Sequence, residues 1–89
     1  MPVLLDFWGI ACGACKMMMP IVGQIAEETA VWAKVCKVDV QEGDNMKLAM
    51  RYKVSSHPTL LLFKNGEEVQ TLTGTCAKSA VLSGLNACR

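Results

Sequence analysis

Cys12 and Cys15 bracket the segment Cys12-Gly13-Ala14-Cys15, set between an apolar run, Val3-Leu4-Leu5-Asp6-Phe7-Trp8, and a helix-forming stretch, Lys16-Met17-Met18-Met19-Pro20-Ile21-Val22. Two thiols at this spacing on the first turn of a helix bring their Cα atoms to about 5 Å, inside the ~4.4–6.8 Å window of a disulfide. The pair can therefore alternate between dithiol and disulfide. A helix N-terminus presents unpaired N–H groups and the positive end of the helix dipole, and both favour a thiolate over a thiol. A reactive thiolate beside a second thiol that can close on it is the apparatus of thiol–disulfide exchange. Cys12, the more N-terminal and more exposed by position, is the expected nucleophile, and Cys15, one turn inside, the resolving thiol. The plain alternative is a pair of ordinary buried thiols.

Three other side chains could take part. Asp6 is a lone carboxylate within an apolar strand, where burial without a cation raises a carboxyl pKa. Lys37 falls on the neighbouring strand, and strand alternation can aim it at Asp6. The bland reading of these two is a surface pair at a strand end. His57 has three readings: a solvent-facing spacer, a hydrogen-bond partner that lowers the Cys12 pKa, or a metal ligand. With Cys12 and Cys15 it would supply three of the four ligands of a tetrahedral zinc site, but no second Cys-x-x-Cys or histidine cluster completes it. A metal-binding or metal-transfer module is thus the main rival function, and a non-catalytic docking subunit the second.

Composition narrows the class. At 89 residues the chain is a single domain over 1–89. With 52% hydrophobic and 19% charged residues, it is a packed globule and not a disordered segment. Nine basic and eight acidic residues are interspersed, so no basic block marks a nucleic-acid partner. No apolar run approaches the ~18 residues of a membrane span, and Asp6 interrupts the N-terminal run too early for a secretory signal. A cytoplasmic monomer is the expectation. Its five cysteines are an odd number, which suits one reactive pair and free thiols at Cys36, Cys76 and Cys88 in a reducing compartment. Cys76 and Cys88 flank one helix, about 18 Å apart along it, too far for a disulfide within it.

The elements that must position these groups follow from local pattern. Residues 2–8 read as a buried strand closed by Gly9. From about Cys12 to Glu28, Met18, Ile21, Val22 and Ile25 repeat at helical spacing, with Pro20 removing one hydrogen bond and expected to kink the helix. A second strand covers 33–40, and a short helix runs to about Tyr52, with Asp44 or Asn45 as its cap. Thr59-Leu60-Leu61-Leu62-Phe63 is a third strand, buried on both faces. Asn65-Gly66 is a strong hairpin signal that leads into a strand over 67–73. A last helix, about Ala77–Ala87, turns Val81, Leu82 and Leu85 inward. The order βαβαββα implies α/β architecture: a four-stranded mixed sheet, the first two strands parallel through a right-handed crossover, with helices on both faces.

Taken together, Asp6-Phe7-Trp8, Cys12-Gly13-Ala14-Cys15-Lys16, Pro20, Lys37 with Asp39, the run from Pro58 through Thr59-Leu60-Leu61-Leu62-Phe63-Lys64-Asn65-Gly66-Glu67, and Gly74 resemble the thioredoxin family. The likeness covers nearly the whole chain, as a minimal version of that fold without the strand and helix that usually precede Val3. Ala11 replaces the family's usual Trp, Ala14 its usual Pro, and His57 its usual Ile or Val. The resemblance implies a protein-disulfide reductase needing no cofactor beyond the Cys12–Cys15 couple. It implies a cis peptide at Pro58, and Asp6 beneath the cysteines as a proton carrier, with Lys37 at its side. Disulfide-containing proteins would be the substrates, meeting Trp8, Ala11, Gly13, Ala14, His57, Pro58 and Gly74, and a thioredoxin-reductase-type donor would restore the dithiol.

Overall fold

The computed structural model describes residues 1–89 and has the order β1 (Val3–Trp8), α1 (Gly13–Thr29), β2 (Lys34–Asp39), α2 (Asn45–Arg51), β3 (Thr59–Lys64), β4 (Glu67–Thr73), α3 (Lys78–Ala87). One four-stranded sheet has the order β2-β1-β3-β4. β1 runs parallel to β2 and antiparallel to β3, and β3 pairs antiparallel with β4. The mixed sheet expected from the element order is therefore present, with β1 and β3 central.

Alternation sorts the strand residues onto two faces. Leu4, Leu60 and Leu62 join Met18, Val22 and Ile25 of α1 and Val81 and Leu85 of α3 in one core. Phe7, Leu61 and Phe63 join Val38, Val40 and Ala49 in the second core, on the α2 side. Because β3 contributes to both, its four apolar residues from Leu60 to Phe63 are all buried, as a continuous apolar run requires, and Thr59 is buried with them. The Tyr52 and Phe63 rings meet edge to face at 5.5 Å and fix the end of α2.

The buried side of α1 is the stripe Cys15, Met18, Val22, Ile25 and Thr29, so Cys15 belongs to the core-facing row of its own helix. Helix α1 continues through Pro20. Of the three consecutive methionines only Met18 is buried, while Met17 and Met19 are exposed. Asn65 and Gly66 both take positive φ, 52° and 81°, the pair of left-handed conformations that a two-residue hairpin turn needs.

Two local expectations change. Asp44 occupies the N-cap position of α2 without a side-chain capping bond, and Asn45 instead donates from Nδ2 to the Asp39 carbonyl at 2.9 Å. The inner face of α3 is built on Val81, Gly84 and Leu85, with Leu82 only half-buried. A Cβ at Gly84 would lie 2.8 Å from Leu62 Cδ2 and 2.6 Å from Gln70 Oε1. Glycine here trades helix propensity for close approach of α3 to the sheet.

That trade gives a stability test. Alanine gains about 1 kcal/mol of helix propensity over glycine, whereas overpacking a buried contact costs about 1–3 kcal/mol. Leu62 is fully buried and cannot move freely. Gly84→Ala should therefore lower stability, by about 1 kcal/mol, read as a lower urea midpoint at unchanged m.

Candidate active site

The sheet register lines up one end of the molecule. Phe7 pairs with Thr59 and Thr59 with Thr73, so the residues just beyond them, Trp8 with Gly9, Pro58 and Gly74, come into one row. A backbone hydrogen bond from Gly74 N–H to the Pro58 carbonyl, 2.8 Å, fastens part of that row. Gly74 has φ +83°, a conformation suited to glycine. The His57–Pro58 peptide is cis. The loop from Gly9 to Cys12 leaves β1 at this same end and delivers the cysteines.

Cys12 is the N-cap of α1, with extended backbone (φ −113°, ψ 106°), and its Sγ accepts the Cys15 N–H at 3.1 Å. Sequence dictates this: a helix whose core stripe begins at Cys15 must start within one turn of it. The two sulfurs are joined as a disulfide with Cα atoms 5.2 Å apart, and Cys36, Cys76 and Cys88 are free. Cys12 is half-buried while Cys15 is 3% exposed, so one sulfur faces outward and its partner inward. No acidic residue occupies the first turn of α1 to offset the positive helix end. Once the bond is reduced, the same N–H and the helix dipole favour negative charge on the Cys12 sulfur.

Asp6 lies on the α1–α3 side of the sheet, two residues along β1 from Leu4 of that core. It is 3% exposed, and its Oδ1 has no hydrogen-bond partner. Burial raises its carboxyl pKa above the ordinary value, opposed by the attraction of Lys37, its register partner on β2. Lys37 itself is exposed. Trp8, Cys12, Ala14 and Gly74 are half-buried, Pro58 is buried, and Ala11, Gly13 and His57 are exposed. The proposed contact residues thus include a rim open to a partner.

The side chains form no group of three or more His, Cys, Asp and Glu residues able to hold a metal ion. The His57 imidazole instead packs toward Gly9: a Cβ there would lie 3.3 Å from its Cε1 and Nδ1. Two contacts escaped the sequence reading: that of His57 with Gly9, a residue expected with Trp8, Ile10 and Gly74 to frame the cysteine pair, and that of the buried Met18 Sδ, which accepts the Cys76 N–H at 3.4 Å. Their signal is contact between segments distant in sequence, which no local pattern carries.

The thioredoxin family model matches residues 1–87. This chain belongs to the thioredoxin family. It is 45% identical to a thioredoxin of Pyropia yezoensis over 97% of this chain and 78% of that one. It is 42% identical to a thioredoxin of Rickettsia typhi over 97% and 80%. A solved mutant thioredoxin from Halobacterium salinarum NRC-1 superposes with a TM-score of 0.88 at 40% identity, covering 97% of this chain and 73% of that one. The thioredoxin family comprises protein-disulfide oxidoreductases that act on disulfide-bearing proteins and take electrons from a reductase, and the disulfide-bonded Cys12 and Cys15 are the couple that such chemistry needs. Nothing in the family or the geometry favours the metal-transfer alternative.

Asp6 provides a pH test. Its folded pKa is raised, so the folded state holds the proton more tightly than the unfolded chain does. Stability should then fall as pH rises from the ordinary Asp value through the folded pKa, with the full penalty present above it. Asp6→Asn removes that titration. The variant should be more stable than the parent at neutral pH, by about 1.4 kcal/mol for each pKa unit by which burial of the charge raises the folded value. The gap should close below about pH 4. Equal pH profiles for parent and variant would refute the assignment.

Proposed function

We propose that the physiological role of this thioredoxin-family chain is reduction of protein disulfides in the cytoplasm, as a monomer. No cofactor takes part beyond the cysteine couple itself. The observation that carries the reading is the placement of an outward Cys12 sulfur on a helix N-terminus, bonded to an inward Cys15. No helix is long and apolar enough to cross a membrane, and acidic and basic residues nearly balance, which favours neutral protein partners over nucleic acid.

In the proposed cycle the Cys12 thiolate attacks one sulfur of the substrate disulfide. A mixed disulfide forms and the other substrate sulfur leaves as a thiolate. Cys15 then loses its proton and attacks Cys12 Sγ, which breaks the mixed bond and releases the second substrate thiolate. Two electrons have passed to the substrate and the Cys12–Cys15 bond has formed. A reductase of the thioredoxin-reductase type returns two electrons to the pair.

Asp6 is proposed as the group that takes the Cys15 proton, with Lys37 moderating its charge. Support comes from its burial, its unpartnered Oδ1 and its raised pKa, which keeps a proton-accepting carboxylate closer to working pH than an exposed aspartate would be. Trp8, Ala11, Gly13, Ala14, His57, Pro58 and Gly74 are proposed as the substrate face. An extended substrate segment would pair with the His57 backbone beside the cis-Pro58 turn in β fashion.

The decisive experiment separates the two sulfurs. With dithiothreitol as donor, Cys12→Ser should lower insulin-disulfide reduction to the uncatalysed background. Cys15→Ser should accumulate protein-bound mixed disulfides, visible on non-reducing gels. Full turnover by Cys12→Ser would overturn the assignment.

A further inference from the structure

A polar cleft of about 480 Å³ lies between the end of α2, with the loop that follows it, and β4. No step of the exchange reaction uses it. Arg51, Lys53, Ser55 and Ser56 line it from the helix end and loop, Glu68 and Thr71 from the strand.

Glu68 reaches this cleft because β4 is irregular. Thr71 pairs with Leu61, and strict alternation would place Glu68, three residues earlier, on the opposite face of the strand. A register shift at Leu62/Phe63 sets Glu68 opposite Phe63 instead, so it shares the α2-side face with Thr71. Thr71 Oγ1 donates to Glu68 Oε2 at 2.7 Å and holds the carboxylate there.

Lys53 is equally irregular, with φ 58°. Its N–H donates to the Met50 carbonyl at 3.0 Å and the Val54 N–H to the Ala49 carbonyl at 2.8 Å, the two bonds of a Schellman helix end. Glycine makes that turn without the steric cost of a Cβ, so the turn itself gives no reason for lysine. Thr59 Oγ1 donates to the Ser56 carbonyl at 2.7 Å and fastens the far end of the loop. The wall is therefore preformed.

The charges on the two walls do not neutralise one another. The ion pairs of the molecule are Lys47 with Asp44 and Lys78 with Glu28, which leaves Arg51, Lys53 and Glu68 unpaired. The Arg51 guanidinium rests over the Tyr52 ring, 5.9 Å from its centre. A simple anion would meet Glu68, and a simple cation would meet Arg51 and Lys53. A ligand that carries both charges, held apart along its length, satisfies all three.

We propose that this cleft is a binding site for a short zwitterionic peptide, with its carboxylate on Arg51 and Lys53 and its terminal ammonium on Glu68. The site is additional to the exchange reaction and does not depend on it.

Glycylglycine, its N-acetyl derivative and its amide share one skeleton and differ in charge. Titrated into the isotope-labelled full chain, glycylglycine should give saturable NMR shifts at the Lys53, Ser56 and Thr71 amides. The acetyl derivative, without the ammonium, and the amide, without the carboxylate, should each bind about 5-fold more weakly, the ceiling for a solvent-exposed charge pair. Glu68→Gln should weaken glycylglycine about 5-fold and leave the acetyl derivative no weaker. Lys53→Gly keeps the left-handed turn, so its urea midpoint should equal or exceed the parent's while glycylglycine affinity falls about 5-fold. Absence of saturable shifts with glycylglycine, equal affinity for the three probes, or unchanged affinity in either variant would overturn the proposal. So would shifts confined to residues outside the cleft.

Discussion

The bond from the Cys15 N–H to the Cys12 sulfur sets the terms for the rest of the molecule. It exists because α1 must begin where its buried stripe begins, and the first member of that stripe is Cys15 itself. Met18, Val22 and Ile25 press the helix onto Leu4, Leu60 and Leu62, each of them fully buried. The helix end therefore cannot shift without unpacking the larger core. Reactivity at one sulfur is a consequence of packing along the whole helix, and that explains how a small domain holds an electronegative atom at a fixed place with little machinery around it.

Asp6 shows the opposite side of the same economy. A carboxylate with one unpartnered oxygen, 3% exposed, opposes folding, and its neighbour Lys37 offsets only part of that cost because its ammonium is in solvent. The sheet tolerates it because β1 is central and its flanking residues, Leu4 and Phe7, are fully buried and bring their own stabilisation. Instability concentrated at one residue, within an otherwise apolar strand, is the pattern expected where chemistry and not packing has chosen the side chain.

Much of this was legible in the sequence because the information is local. Leu60 to Phe63 is buried on both faces because a run of apolar residues has no polar side to turn outward. Asn65-Gly66 forms its turn because those residues tolerate positive φ. The Cys12–Cys15 spacing fixes the disulfide because helix geometry does. Legibility ended where two segments decide a residue jointly. Gly84 on the inner face of α3 answers to Leu62 and Gln70 across the sheet, so a pattern of apolar spacing selects Leu82 in its place. The capping of α2 turned on Asp39, six residues upstream, drawing in the Asn45 amide. The His57 ring rests toward Gly9, a contact between segments far apart in the chain that no periodicity records.

The site is consequently assembled from parts with separate causes. The two cores, on either side of β3, fix the row formed by Trp8, Pro58 and Gly74 through strand register, which slips only at the expense of every buried side chain. The residues around that row, by contrast, include exposed ones outside both cores: Ala11 and His57 in loops and Gly13 at the start of α1. Changes among them alter what a partner meets without touching either core. The departures from common thioredoxin residues at Ala11 and His57 fall in this second category, and Ala14 lies beside them, half-buried in the first turn of α1. They modify the surface around an unchanged sulfur pair, so the fold and the exchange chemistry persist while the choice of partner is free to drift.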